Sequence, residues 1–178
     1  MKDRASIALA VVLAGSLGAV ATALVSQYAF DMQPCAWCVM QRLIFLLIAA
    51  VSALAFCLTR PWMRAALGGI IIVLAGSGVA SAIYQHVVAA DTTSCRLSLA
   101  ERIVGGALHL DQLLPSVFEP RVSCSAGATT MLGIPYEFWS LAAFVLLALA
   151  SAIALRPHPA VALTTRASRS PRAHEAGR

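Results

Sequence analysis

Four apolar stretches govern what this chain can fold into: approximately Ala5–Tyr28, Leu43–Thr59, Ala65–Val88 and Phe138–Leu155. Each approaches the roughly 20 residues a helix needs to cross about 30 Å of hydrocarbon. A spanning segment must satisfy its backbone internally, which in lipid leaves helices or closed barrels. Of the 178 residues, 60% are hydrophobic and 12% charged, too few polar groups to clothe a soluble domain of this size. Lys2 and Arg4 precede the first stretch as they would a signal peptide. It is too long for an h-region and is followed by further spans, so it is expected to stay as a helix. The expected fold class is an all-α membrane protein, a four-transmembrane-helix bundle over residues 1–155.

The net charge of +5 could suggest nucleic acid, but its distribution points to topology instead. Nine of the thirteen basic residues flank the spans on one side, among them Lys2, Arg4, Arg60, Arg64 and Arg156. Arg42, Arg96, Arg102 and Arg121 fall on the other, with six of the eight acids. The positive-inside bias then places both termini and the Arg60–Arg64 turn in the cytoplasm, and the outer loops, about 29–41 and 89–137, on the opposite face.

Pro61 and Trp62 in "TRPWMR" mark a tight turn between the second and third spans. The loop 89–137 is long enough to carry structure of its own. Within it "SLAE", Ser98–Glu101, has the form of a capping box. Leu99, Ile103, Ala107, Leu108 and Leu110 follow at helical spacing, which predicts a short amphipathic helix on the membrane or against the bundle. The third span is crowded with small residues such as Gly68, Gly76 and Gly78, which let helices approach closely. Residues 156–178, rich in Arg, Ser, Ala and Pro, read as a disordered cytoplasmic tail.

Cysteine placement carries the chemistry. Cys35 and Cys38 form a CxxC at the mouth of the second span, and such pairs are often reactive dithiols. Pro34 biases the chain ahead of Cys35 to an extended form, so Cys38 falls near a helix start, where free N–H groups and the helix dipole favour a thiolate. Arg42 is one turn further on, on the same face. The alternative for Arg42 is a snorkelling charge at the lipid headgroups. Cys95 and Cys124 share the long loop. A bond between them would close a ring of about 30 residues, worth roughly 3.6 kcal/mol on the loop-entropy model, so a plain staple is a second reading. A Cys₄ zinc site fits poorly, since only one of the two pairs has knuckle spacing. Cys57 reads as a small apolar residue within its helix, and His109 has no evident partner.

The order of spans, "QPCAWCVMQR", "AIYQHV", Cys95, "DQLLPSVF", Cys124 and "LGIPYEFW" resembles the disulfide bond formation protein B (DsbB) family over about Gln27–Trp139. The stretch "VSCSAGATT" departs from it, lacking a Gly-Asp before Cys124 and a Glu soon after. The resemblance implies a quinone-dependent oxidoreductase of the bacterial inner membrane that reoxidises a periplasmic DsbA-type thiol oxidase. It implies a Cys95–Cys124 disulfide whose Cys95 takes the partner, after which Cys124 attacks Cys35 and frees Cys38. It assigns Cys38, Arg42 and His86 to the quinone, with ubiquinone expected ahead of menaquinone, and no metal and no nucleic acid. Two other readings are a vitamin K epoxide reductase-like protein, whose cysteine pairs come in the reverse order, and a non-catalytic scaffold stapled by two disulfides.

The charge asymmetry is testable directly. In a cysteine-free background, Arg64→Cys and Glu119→Cys should react with an impermeant maleimide from opposite faces of the membrane. Labelling of both from outside would overturn the assignment.

Overall fold

Two prolines set where two of the four long helices begin. The computed structural model describes residues 4–89, 99–123, 125–126 and 129–155; Cys95, Cys124, Ser98 and the expected tail at 156–178 lie outside them. Helix α1 is Arg4–Ala29 and α2 is Ala36–Cys57. Helix α3, Pro61–Tyr84, has Pro61 in its first turn, where the missing N–H costs nothing. A π-helical turn, Gln85–Ala89, continues it. Among its described residues the outer segment holds three short helices, α4 (Leu99–Glu101), α5 (Leu110–Leu113) and α6 (Pro115–Phe118), and a hairpin of β1 (Thr130–Met131) and β2 (Ile134–Pro135). Helix α7 is Tyr136–Leu155. Among the described residues four helices are long and apolar enough to cross a membrane.

Helix α2 differs most from the sequence expectation, starting at Ala36 rather than Leu43. Hydropathy puts the edge at Leu43 because Gln41 and Arg42 interrupt the apolar run. In the structure both are buried and hydrogen-bonded, so the helix runs through them. Its N-cap is Cys35, extended at φ −86° and ψ 172°, with Pro34 before it. Cys38 is therefore the third helical residue.

The four long helices meet in one apolar core. Phe45 of α2 stacks on Phe144 of α7, ring centroids 4.0 Å apart and planes 4° from parallel. Leu9 and Val12 of α1 and Ile71 of α3 close the cluster. The small residues of α3 permit its contact with α7: a Cβ built at Gly78 would lie 2.5 Å from the Phe144 ring. Buried hydroxyls stay paired, as lipid demands: Ser52 Oγ donates to the Leu9 carbonyl at 2.8 Å and Ser151 Oγ to that of Gly68 at 3.1 Å. Apolar side chains such as Val73 and Leu146 point outward, which suits a lipid surround.

The expected amphipathic helix is present in altered form. Helix α4 passes into a π-helical turn, Arg102–Ala107, whose register brings Ala100 and Val104 against α2, beside Trp37 and Val39. The expected stripe faces elsewhere, Leu99 and Leu108 being exposed. Among the bonds that fasten this outer layer to the bundle, Tyr28 Oη donates to the Ser116 carbonyl at 2.7 Å, and Arg121 N to that of Pro34 at 3.0 Å.

The close α3–α7 approach yields a paired expectation. Gly78→Ala must displace the Phe144 ring and should cost about 1–3 kcal/mol, the usual penalty of overpacking. Gly76→Ala meets nothing within 4 Å and should stay within about 0.5 kcal/mol. Thermal midpoints of the two variants in mild detergent check this; equal losses would contradict the packing.

Candidate functional site

At the head of α2 the backbone presents two sulfurs side by side. Cys35 Sγ lies 3.4 Å from Cys38 Sγ and donates to it, both being free thiols. Cys35 is fully buried, packed with Trp37 and Ala100, whereas Cys38 is half-buried. The hydrogen bond to Cys38, then burial, raises the Cys35 thiol well above the ordinary cysteine value. Cys35 is thus the proton-keeping member of the pair. Trp37 wedges against Tyr84 at 4.8 Å, tying this turn to α3.

Arg42, one turn on, points inward and is 5% exposed. Its Nη1 donates to Gln27 Oε1 at 2.7 Å and to the Val117 carbonyl at 3.0 Å, and its Nη2 to the Ala23 carbonyl at 3.3 Å. The guanidinium therefore does not snorkel to the headgroups. Its Nε is buried with no partner, and among the described residues no carboxylate pairs with it. A buried cation satisfied only by neutral acceptors leaves the local field positive, which suits a neighbouring anion.

Cys38, Gln41 and Arg42 all lie on the wall of one cavity of about 350 Å³ between α1, α2 and α7. Its other walls are mostly apolar, with Phe45, Trp139 and Ala143 prominent, and Leu132 at the hairpin tip roofs it. The tip is a tight turn with Leu132 at φ 56° and Gly133 at φ 79°, the left-handed pair a two-residue hairpin requires. A slot with apolar faces and a sulfur and a guanidinium on its wall matches a flat, apolar ring carrying carbonyl acceptors, and so fits a quinone headgroup.

Two glutamines missed at the sequence level complete the surroundings of Cys38. Gln85 Nε2 donates to Cys38 Sγ at 3.4 Å, and its Oε1 accepts from Gln41 Nε2 at 2.9 Å. Both are buried inside the bundle. For Gln85 the available signal was an uncharged amide inside an apolar span, where such a group must find a partner; Gln41 fell outside the expected second span and carried none.

His86 is placed elsewhere. Its Nδ1 pairs with Glu137 Oε1 at 2.7 Å, its ring leans on Phe138 at 4.8 Å, and it does not line the cavity. Cys57 is exposed near the far end of α2. Of the residues singled out from the sequence, the structure brings together Cys35, Cys38 and Arg42, sets His86 apart, and leaves Cys95 and Cys124 outside the described residues.

Comparison with known proteins gives the family. The family model described as disulfide bond formation protein DsbB matches residues 5–154. A disulfide bond formation protein B of Cupriavidus metallidurans is 33% identical over 141 residues, covering 79% of this chain and 86% of the relative. The protein of the same name from Ralstonia nicotianae is 34% identical over 147 residues, with 79% and 87% covered. That from Herminiimonas arsenicoxydans is 32% identical over 151 residues, with 84% and 93% covered. No solved structure matches significantly. A multi-pass helical bundle with a CxxC at the head of its second span, matched by the family model over nearly its whole described length, belongs to the DsbB family of membrane disulfide bond formation proteins.

Proposed function

We propose that this protein reoxidises a DsbA-type thiol oxidase on the periplasmic side of the bacterial inner membrane and delivers the two electrons to a membrane quinone. The observation that carries the reading is the cavity whose wall includes both Cys38 and Arg42, while Cys35 is buried and not part of that wall. The basic flanks at Arg4, Arg60 and Arg64 support an orientation that puts this end of the bundle in the periplasm.

In this scheme a thiolate of the reduced partner attacks Cys95 of a Cys95–Cys124 disulfide, forming a mixed disulfide and releasing Cys124. The partner's second thiol displaces Cys95 and leaves the partner oxidised. Cys124 attacks Cys35 of the Cys35–Cys38 disulfide, and Cys38 leaves as a thiolate. Cys95 then displaces Cys35 from Cys124. The outer disulfide is restored and Cys35–Cys38 is left reduced. A stable leaving thiolate speeds such exchange, and Cys38 sits where the N-terminal dipole of α2 and the Arg42 charge both favour one. Because Cys35 is covered by the segment around Ala100, its attack by Cys124 requires that segment to move aside. A quinone held beside Cys38 and Arg42 would supply the final sink for two electrons and two protons, leaving Cys35 and Cys38 rejoined as a disulfide. Arg42 holds its part of the cavity wall positive, and Phe45 and Trp139 offer apolar faces. The strongly oxidising character of a DsbA-type partner is why so strong a sink is required.

Arg42 separates this reading from a purely structural one. Arg42→Lys keeps the charge but loses the planar fork, and apparent quinone affinity should fall about tenfold or more, the scale of a charge-assisted hydrogen bond. Arg42→Ala should fall further and slow turnover. Quinone-reduction kinetics beside thermal midpoints check this, because Arg42 also tethers α1 and the loop. An unchanged quinone KM in Arg42→Ala would overturn the assignment.

A further inference from the structure

Among the described residues two side chains donate to Cys38 Sγ: the thiol of Cys35 and the amide of Gln85. The hydrogen bonds of Arg42 go to Gln27, Ala23 and Val117, so its influence on Cys38 is through charge at a distance. Once Cys35 is joined to another sulfur it has no proton to give. That is the moment when Cys38 stands alone as a thiolate, and Gln85 is then the donor left to it.

The local structure is arranged to hold Gln85 in that place. It is the first residue of the π-helical turn that ends α3 and is 5% exposed, while Tyr84 before it and Val87 after it are exposed. Its amide could rotate to present either end to the sulfur. Gln41 removes that freedom: by donating to Gln85 Oε1 it commits the oxygen and leaves the NH₂ facing Cys38. Gln41 is itself buried at 3% and lies one residue before Arg42 on the cavity wall. Two amides in mutual contact could simply satisfy each other inside the bundle. That account explains the 2.9 Å bond but not the second N–H turned onto a sulfur.

We infer that Gln85, oriented by Gln41, is a positioning residue that donates to Cys38 and stabilises its thiolate while Cys35 is engaged elsewhere. The inference rests on the proposed exchange order, in which Cys38 is the sulfur set free. A neutral donor suits the task, because it steadies the thiolate without giving it a counter-ion.

The test uses the full chain with Cys35→Ala, Cys57→Ala, Cys95→Ser and Cys124→Ser, so that Cys38 is the one thiol left. In that background Gln85→Met keeps the length and volume of the side chain and removes the donor. The iodoacetamide alkylation rate at about pH 7 should fall roughly threefold to tenfold, one hydrogen bond's worth of thiolate. At about pH 10, where the thiol is ionised in either protein, the two rates should converge. Gln85→Asn, which withdraws the amide by one methylene, should show the same loss if the methionine variant folds poorly. Gln41→Met frees the Gln85 amide to rotate and should give a smaller loss with the same convergence. Equal rates at both pH values, or a loss of the same size at both, would reduce Gln85 to packing and overturn the inference. The measurement needs no quinone and no partner protein, so failure of the electron-transfer reading would leave its outcome standing.

Discussion

The buried guanidinium of Arg42 is the constraint on which the outer half of the molecule depends. A cation in a membrane span is costly unless its donors are satisfied and its charge is put to use. Here the donors reach two points on α1 and one on α6, so one side chain binds three segments together at the level of Cys38. With no carboxylate opposing it among the described residues, the charge remains available to whatever anion forms nearby. The cavity is the space these tethers leave between α1, α2 and α7.

The two sulfurs of the CxxC differ because α2 begins between them. Cys35 caps the helix from the extended side and is sealed beneath Trp37 and Ala100, while Cys38 has entered the first turn and faces the cavity. One sulfur is thereby packed beneath the outer segment and the other set on the cavity wall. An intervening Ala-Trp is enough to separate the two environments. Pro34 fixes the division by holding the chain extended up to Cys35.

Much of this was legible in the sequence. The number of spans, the small-residue face of α3 and the grouping of Cys35, Cys38 and Arg42 follow from apolar run lengths, spacing and the i+4 rule. The apolar edge of α2 was not, because a hydropathy reading treats Gln41 and Arg42 as leaving the membrane, whereas partners on α1, on α6 and in the π-helical turn after α3 let them stay inside. Those partners are remote in sequence: Gln85 stands 44 residues from Gln41, and Gln27 stands 15 from Arg42. Nor was the roof legible, since the turn at Leu132–Gly133 relies on a leucine in a left-handed conformation that no short-range rule would choose. His86 stood out as a histidine at a span end. Its pairing with Glu137, 51 residues away, could be seen only once α3 and α7 were side by side.

The central claim is that electrons from a dithiol partner pass through Cys38 to an acceptor in the membrane. The most direct measurement is stoichiometric: purified protein in mild detergent, a reduced DsbA-type oxidase and a short-chain quinone, with partner disulfide and quinol quantified together. The account expects one quinol for each disulfide formed, and neither product with Cys38→Ser. Partner disulfide accumulating over many turnovers without quinol, or undiminished quinol with Cys38→Ser, would contradict it.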